Sequence, residues 1–553
     1  MSYITPEDRH QVVLFQSLDS AIDPDHIVRL LDVIVDQIVE ADPDFFLDRG
    51  KSHTGRPAYH PSVFLKLYLY GAMNRINSSR RLERECKRNL ELMWLLGKLA
   101  PDFKTIADYR KDQGEQIRSV FFRVNLFLKE QGLIQGKISS IDGSKIRAYA
   151  RQSVSKASLE KLLAAERSML EQYLATLAAE DQAEDQFFEQ GDSSSSDQRP
   201  TDPPSFTGQD SPLMETNLMK AIGDTQQAIG EMEDLLGKVV AAEQQAPGAI
   251  PKRYCTTDPD ARMMKGNEGK QWYYNLISSV DGAHGLICDI EATSSPTDTS
   301  QLLPALFRLR DRMGIIPQIQ LADAGFGPLP PIIQLREGKV AGLAAVECFI
   351  PVGNSRRDHD QQHQLSFIYH PQEDHYTCSE GQHLFLKQTN KWLNGAFTNV
   401  YQASDCSACS RKPVCSPRSK RGRTVHRYLN QQARDEYQLQ METKEAKLMR
   451  SKRMSLSEHP FGILKLWMGK LPITMRGRKK VNTQVAIFAT AYNLRRSTQI
   501  KSVEDMIQKA KEYEWKKLSK QIGDPNTWAK IIKKLRRWAK KYGQNQTETF
   551  KLA

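Results

Sequence analysis

The sequence predicts an α/β fold whose mixed core is assembled from pieces that lie far apart along the chain. Three observations lead to this prediction. Apolar residues recur at helical spacing through residues 1–130, and from Lys137 onward short strand-like segments alternate with helices. Two long stretches, 153–249 and 354–449, interrupt that alternation, so we expect them to be insertions into the core.

Composition narrows the class of protein. The chain has 553 residues, 39% of them hydrophobic and 26% charged, which is typical of a globular protein of several domains. No apolar run is long enough for a membrane span, and the N-terminus lacks the basic and apolar regions of a signal peptide. We therefore expect a cytoplasmic protein without a membrane partner, whose eight cysteines are thiols or metal ligands. The net charge of +12 fits either a polyanionic partner or ordinary solvated basic faces.

The N-terminal region is predicted to be helical. Apolar periodicity marks His26–Val39 and Pro61–Met73, and Pro61 occupies a first-turn position. In Ser78–Leu99 a basic segment precedes an apolar one. This pattern fits a helix-turn-helix-like unit or an amphipathic bundle with a solvated basic face, and both interpretations stay open.

The core elements follow in order. A strand is predicted in KISSIDGSKIRAYA from Lys137, and two Leu- and Met-rich helices around a Ser/Pro/Asp-rich linker form a predicted helical hairpin with a packed apolar stripe. Next come a β-hairpin that turns near Asp281–Gly282, a helix at Thr299–Met313, and strands in PQIQLADAGFG and VECFIPVG. A helix that Glu458 opens and the apolar helix VNTQVAIFATAYNLRR complete the core.

Three carboxylates stand out by their context. Asp142 and Asp323 each lie near the end of an apolar strand just before small residues, and Glu458 precedes His459 and Pro460. Carboxylates at strand ends beside glycine are suited to bind divalent cations that act in phosphoryl transfer. Each could instead be a turn or cap residue.

A second group consists of four cysteines, Cys378, Cys406, Cys409 and Cys415. The pair Cys406–Cys409 has C-x₂-C spacing, and the set could supply four thiolates to a structural Zn²⁺. The alternatives are unmetallated thiols, or His375 or His383 in place of one cysteine. Cys86, Cys255, Cys288 and Cys348 are scattered and are expected to be unpaired, partly buried thiols.

Positive charge is concentrated in two places. Arg418, Lys420, Arg421 and Arg423 follow the cysteines and could bind phosphates, or they could form a solvated loop. Residues 500–553 carry 14 Lys and Arg against 6 Asp and Glu, including the basic amphipathic segment WAKIIKKLRRWAKKYG. Such a helix binds DNA or membrane surfaces, and DNA agrees better with the other features.

The ordered segments SSIDGSKIRAYA, TDPDARMMKGNEGK, QLADAGFG and SEHPFGILKLWMG resemble those of bacterial insertion-sequence DDE transposases. The closest branch has a ribonuclease-H-like core, a helical N-terminal region and a cysteine-rich insertion before the catalytic glutamate. The resemblance implies a metal-binding catalytic triad of Asp142, Asp323 and Glu458, with Mg²⁺ or Mn²⁺. It also implies that Lys465, six intervening residues after the glutamate, helps to hold the transposon end. Arg453 lies one residue from the position where the family has an arginine and is expected to contact DNA.

The activity that follows from this resemblance is metal-dependent cleavage and strand transfer at the ends of an insertion sequence. The expected partners are terminal inverted repeats and target DNA, bound by a homodimer at the nucleoid. The alternatives are an inactive or domesticated DNA-binding protein and a nuclease without strand transfer. The expected divisions are a DNA-binding domain 1–130, core pieces 131–152, 250–353 and 450–498, a helical insertion 153–249, a cysteine-rich insertion 354–449 and a basic tail 499–553.

Overall fold

A computed structural model of the chain divides into two compact units. The first comprises Met1–Ser144, Asn275–Leu471 and Lys479–Ile532, and the second comprises Lys145–Tyr274, Pro472–Arg478 and Lys533–Ala553. The structure describes residues 17–46, 57–150, 153–154, 156–191, 211–245, 254–255, 257–266, 269–327, 329–351, 367–393, 396–416, 419, 422–429, 431–468 and 473–516.

The N-terminal part of the first unit is helical, as predicted. Its helices are α1 (Ile27–Ala41), α2 (Pro43–Phe46), α3 (Pro61–Met73), α4 (Ser79–Cys86), α5 (Leu90–Leu95), α6 (Phe103–Asp112) and α7 (Gly114–Glu130). Helix α3 is buried along its whole length, and Lys66 within it bonds to Asp32 and Asp36 of α1 at 2.6 and 2.8 Å. The basic helix and the apolar helix predicted in Ser78–Leu99 are α4 and α5, and Asn89 caps the second by accepting the N–H of Leu92 at 3.2 Å.

Strands of the central sheet come from distant parts of the chain. The strands up to residue 349 are β1 (Ile138–Arg147), β2 (Ser153–Val154), β3 (Tyr254–Cys255), β4 (Arg262–Gly266), β5 (Gly269–Asp281), β6 (Ile287–Thr293), β7 (Ile319–Ala322) and β8 (Glu347–Phe349). Within the first unit the order is β6-β5-β1-β7-β8. Strands β1, β7 and β8 are parallel, whereas β5 and β6 form the predicted antiparallel hairpin. The mixed α/β class is therefore confirmed.

Helices cover this sheet and complete its hydrogen bonding. They are α10 (Leu302–Met313), α11 (Leu329–Arg336), α14 (Lys444–Met468) and α15 (Arg478–Ser497). Asn482 and Asn493 of the buried helix α15 accept backbone N–H groups of β6, from Ala292 at 2.6 Å and Ile287 at 2.9 Å. Because β6 pairs with β5 along one edge, these two side chains satisfy donors that the sheet leaves open.

The cysteine-rich insertion forms a small antiparallel sheet of its own. Its strands are β9 (Phe367–His370), β10 (His375–Cys378), β11 (His383–Leu393), β12 (Ala396–Ala403) and β13 (Thr424–Tyr428), accompanied by α12 (Lys412–Cys415) and α13 (Gln431–Glu442). The strand order is β13-β12-β11-β10-β9. Tyr376, Leu384 and Tyr401 form a buried cluster on one face, and the carboxylate of Asp374 accepts the hydroxyl of Tyr401 at 2.6 Å.

The second unit contains the predicted helical hairpin, α8 (Lys156–Gly191) and α9 (Ser211–Gln245). Leu159 and Leu235 are buried against each other, and Met232 and Leu236 pack beside them. The prediction of a fully packed apolar stripe was wrong in part, because Leu162 and Leu174 are 46% and 47% exposed. A pair of helices has one shared seam, so apolar residues on the outer faces stay in solvent. The linker predicted between them lies outside the described residues, as does the basic segment WAKIIKKLRRWAKKYG.

A membrane span was not expected, and no helix in the described ranges is both long and apolar enough to form one.

Candidate active site

Asp142 and Asp323 lie side by side where the pairing of β1 with β7 ends. The register pairs Ile141 of β1 with Ala322 of β7, and each aspartate is the next residue in its strand direction. Because parallel strands place successive residues at matching heights, the two carboxylates are neighbours. Their separation in sequence is large, and the β1–β7 pairing alone brings them together.

Asp142 has an unusual electrostatic environment. The pKa of its carboxyl is raised from 3.8 to about 6, chiefly by burial. The neighbouring carboxylates of Asp323 and Asp298 also raise this pKa, whereas the N–H of Gly143 and the guanidinium of Arg453 lower it. The Gly143 N–H donates to Asp142 Oδ1 at 2.9 Å. A carboxyl with a raised pKa beside other acids is typical of functional sites.

Asp323 is held by the turn that follows its strand. It caps a short 3₁₀ helix, Ala324–Phe326, and its Oδ1 accepts the N–H of Gly325 at 2.8 Å. A turn or cap role therefore does apply to Asp323. The cap uses one oxygen, and the other accepts no hydrogen bond from a described residue.

Glu458 lies inside a long helix, and the prediction that it opens a helix was wrong. Helix α14 begins at Lys444, and Pro460 lies within it. The reason is local: the segment before Glu458 is rich in Lys, Arg, Leu and Met, which favour helices, and Pro interrupts a hydrogen bond without ending this helix. The side chain of Glu458 is exposed.

A buried pair of serines joins the helix of Glu458 to the strand of Asp142. Ser457 Oγ lies 3.1 Å from Ser140 Oγ, and the two residues are 1% and 0% exposed. Ser457 also donates to the carbonyl of Arg453 one turn earlier, at 3.0 Å. Helix α14 packs against β7 and β8 as well. These contacts hold the segment 453–458 against the strands next to Asp142.

The sequence prediction missed one acid at this edge, Asp298. It lies in the loop between β6 and α10, and its carboxylate contributes to the raised pKa of Asp142. The loop sequence SSPTDTSQ is typical of a surface turn. Its only signal was an acid shortly after a core strand ends, which many turns share.

The carboxylates form a donor set suited to hard cations. Mg²⁺ and Mn²⁺ prefer carboxylate oxygen, and Asp142 within β1 and Asp323 just after β7 present it on neighbouring strands. No group of three or more His, Cys, Asp or Glu side chains in the described part of the chain is arranged closely enough to hold a metal ion as it stands. The chemistry of these donors nevertheless fits the divalent cations that the sequence predicts.

The four cysteines of the insertion line a single cavity, together with Arg411, Lys412 and Arg423. All four are free thiols. Gly422, at a φ of +92°, passes so close to Cys406 that an added Cβ would lie 2.7 Å from its sulfur. In β10, His375 and Thr377 alternate with Cys378, and His383 pairs with Thr377, so the two histidines lie on the opposite sheet face from Cys378. The proposal that one of them replaces a cysteine is therefore disfavoured.

The other four cysteines are separate from this cavity. Cys86, Cys255, Cys288 and Cys348 are free and buried, which confirms the prediction of unpaired thiols.

The predicted DNA-binding residues lie in different settings. Arg453 is half-buried beside Asp142, and Lys465 is exposed two helical turns after Glu458, on the same side of α14. Arg423 donates to the carbonyl of Cys415 at 3.0 Å and so supports the cysteine loop. Arg418, Lys420 and Arg421 lie outside the described residues.

Two family models match parts of the chain. Residues 16–112 match the model of a transposase domain (DUF772), and residues 377–498 match that of a transposase DDE domain. The second match includes Glu458 and all four clustered cysteines. No match was found among curated proteins or among solved structures. One transposase model thus matches the N-terminal helices and another matches the region around Glu458, and together they support an insertion-sequence DDE transposase.

Proposed function

We propose that this transposase cleaves DNA at the ends of an insertion sequence and joins the freed ends to target DNA, using Asp142, Asp323 and Glu458 as its catalytic carboxylates. The observation that carries the proposal is the β1–β7 register, which makes Asp142 and Asp323 neighbours. The Ser140–Ser457 contact supports the inclusion of Glu458, the next residue of α14.

The three carboxylates would hold two divalent cations, Mg²⁺ or Mn²⁺. When bound, such cations stabilise the attacking and leaving oxygens of an in-line displacement at a phosphodiester. The chain's own contribution is to orient the ligands. Gly143 donates its N–H to Asp142 Oδ1 at 2.9 Å, and Gly325 donates its N–H to Asp323 Oδ1 at 2.8 Å. These bonds orient the two carboxylates through one oxygen each.

Basic side chains near the carboxylates would hold the DNA backbone. Arg453 stands beside Asp142, where its guanidinium could pair with a phosphate adjoining the cleaved bond. Lys465 would contact a phosphate further along the transposon end. We further propose that residues 1–130 and the basic tail 499–553 bind the terminal repeats, and that a homodimer at the nucleoid joins two ends.

The catalytic core is proposed to be ribonuclease-H-like. The strand order β6-β5-β1-β7-β8, with a hairpin followed by two parallel strands separated by helices, supports this assignment. In such a core the acids of the central strand and its parallel neighbour meet at one edge, as Asp142 and Asp323 do.

The experiment uses the full-length protein and a donor DNA bearing the inverted repeats that flank its gene. With Mg²⁺ the wild type is expected to nick the repeat ends and join them to a target plasmid. Asp142→Asn, Asp323→Asn and Glu458→Gln should each abolish nicking while DNA binding survives. Glu445→Gln, an exposed acid on the same helix, is the matched control and should keep activity.

The other possible outcomes would refute the catalytic triad or support one of the alternative functions. Wild-type nicking by any one of the three variants would refute the triad. Nicking without joining would support the nuclease alternative, and binding without nicking by the wild type would support a DNA-binding protein.

We also propose that Cys378, Cys406, Cys409 and Cys415 hold a structural Zn²⁺. Their shared cavity and C-x₂-C turn support a thiolate site, and a small insertion gains stability from a bound metal. Metal analysis of the purified protein should find one zinc per chain, and Cys409→Ser should lose it. Cys86→Ser, which changes a lone buried thiol of α4, should keep it. Clearly substoichiometric zinc in the wild type would refute the site.

A further inference from the structure

Asp298 lies close to both Asp142 and Asp323. A Cβ added to Gly325 would lie 3.0 Å from Asp323 Oδ1 and 3.4 Å from Asp298 Oδ2. The two oxygens therefore lie close to one common point. A Cβ added to Gly143 would lie 2.5 Å from Asp298 Oδ1. Gly143 directly follows Asp142, so the Asp298 carboxylate lies against the backbone next to Asp142 and also near Asp323 Oδ1.

The two glycines leave the space that Asp298 occupies. A real Cβ never approaches an oxygen as closely as 2.5 Å, so any side chain at residue 143 would push the Asp298 carboxylate away. Gly143 and Gly325 therefore do more than allow turns after Asp142 and Asp323. Because they have no side chains, the carboxylate of Asp298 can approach from its separate loop.

A buried asparagine fixes the direction of the Asp298 carboxylate. Asn275 of β5 is fully buried, and its Nδ2 donates to Asp298 Oδ1 at 2.6 Å. Asn275 Oδ1 has no hydrogen-bond partner in the described part of the chain. An unsatisfied buried acceptor is a common sign of a water or ion that belongs at the site. A loop acid that served only as a turn residue would not need a core asparagine to orient it.

We propose that Asp298 is a fourth carboxylate ligand of the divalent cations held by Asp142 and Asp323. The proposal rests on the proposed function, because it adds a ligand to the same site. Because Oδ1 of Asp298 is bonded to Asn275, Oδ2 is the oxygen that would hold a cation, and the unsatisfied Oδ1 of Asn275 would remain available as a hydrogen-bond acceptor. Asp298 thereby adds negative charge to a site whose triad glutamate is exposed.

The test is the affinity of the full-length protein for Mn²⁺, measured by isothermal titration calorimetry without DNA. Asp298→Asn keeps the shape and the Asn275 contact but removes the charge, so we expect at least about tenfold weaker binding, as for other changes around metal sites. Gly143→Ala keeps every acid and should also weaken binding, because its methyl group displaces the Asp298 carboxylate. Asp311→Asn, a change in α10 away from this edge, is the control and should bind as the wild type does.

The outcomes separate this inference from the proposed function. If Asp142→Asn and Asp323→Asn weaken Mn²⁺ binding while Asp298→Asn does not, the fourth ligand is refuted and the triad stands. If none of the three weakens binding, the proposed site itself fails. Should Asp298→Asn unfold, as judged by circular dichroism, Asp298→Glu decides, because it keeps the charge but lengthens the side chain. Weaker Mn²⁺ binding by a folded Asp298→Glu supports a ligand, and wild-type affinity refutes it. Wild-type affinity in Gly143→Ala would contradict the geometry.

Discussion

Replacing Asp142 with asparagine is expected to stabilise the fold while it abolishes cleavage. The pKa of Asp142 rises from 3.8 to about 6, chiefly through burial. One pKa unit corresponds to about 1.4 kcal/mol, so keeping this carboxylate ionised costs the folded state on the order of 3 kcal/mol. Asparagine preserves the hydrogen bond from Gly143 and removes that cost, although Arg453 loses a favourable neighbour.

The effect has a defined pH dependence. Between pH 3.8 and about 6 the folded protein binds more protons at Asp142 than the unfolded chain does, so wild-type stability falls as pH rises through this window. Asp142→Asn has no such loss. The difference between the two proteins should therefore be largest above about pH 6 and should vanish near pH 4.

The assay is thermal unfolding in EDTA at pH 8 and near pH 4. At pH 8 the variant should melt several degrees above the wild type, at roughly 2–4 °C per kcal/mol for a unit of this size. Adding Mn²⁺ should raise the melting temperature of the wild type and leave that of the variant unchanged. An equal or lower melting temperature of Asp142→Asn at pH 8 in EDTA would refute the reasoning.

Asp289 provides a contrast to Asp142, because it is a buried acid that is paired with two arginines. Asp289 is fully buried, and it accepts from Arg308 at 2.7 Å and from Arg312 at 2.6 Å. Despite burial, these two guanidinium groups hold the pKa of Asp289 below its usual value. Asp289→Asn should therefore lower the melting temperature at pH 8, because breaking a buried ion pair costs about 3–5 kcal/mol. Replacing aspartate with asparagine is thus expected to raise the melting temperature at Asp142 and to lower it at Asp289.

Three further predictions concern single contacts. Tyr437→Phe should lower the free energy of unfolding in urea by about 1–3 kcal/mol, because the N–H of Ile350 loses its buried acceptor at 2.9 Å; an unchanged midpoint would contradict this. Ser140→Ala should reduce nicking roughly tenfold with DNA binding intact, because it removes the hydrogen bond to Ser457 that positions Glu458. A normal nicking rate would show that packing of the helix positions Glu458 without this hydrogen bond. Lys66→Met should cost about 2 kcal/mol at pH 7, because two carboxylates of α1 lose a charged donor, as measured by urea unfolding.

Much of the local structure could be predicted because it depends on near neighbours. Helix α3 has the predicted bounds, since a first-turn proline and an unbroken apolar run define it within thirteen residues. The β5–β6 hairpin and the strand that precedes Asp323 also follow from local alternation and turns. Where local signals conflict, prediction failed: Pro460 suggested a helix start near Glu458, and the helix in fact begins at Lys444.

In the candidate site, too, some residues could be predicted from local patterns and others only from contacts between distant parts of the chain. The sequence by itself identified Asp142 and Asp323, because an acid that follows apolar strand residues and precedes a glycine is a local pattern. It also identified the four cysteines, because the C-x₂-C spacing is local. Only the tertiary structure brought in Asp298, whose loop resembles any surface turn, and the Ser140–Ser457 contact between residues 317 positions apart. Such contacts depend on the order in which strands pair and on which helix covers them. That order is decided by burial of the whole core, which no short segment encodes.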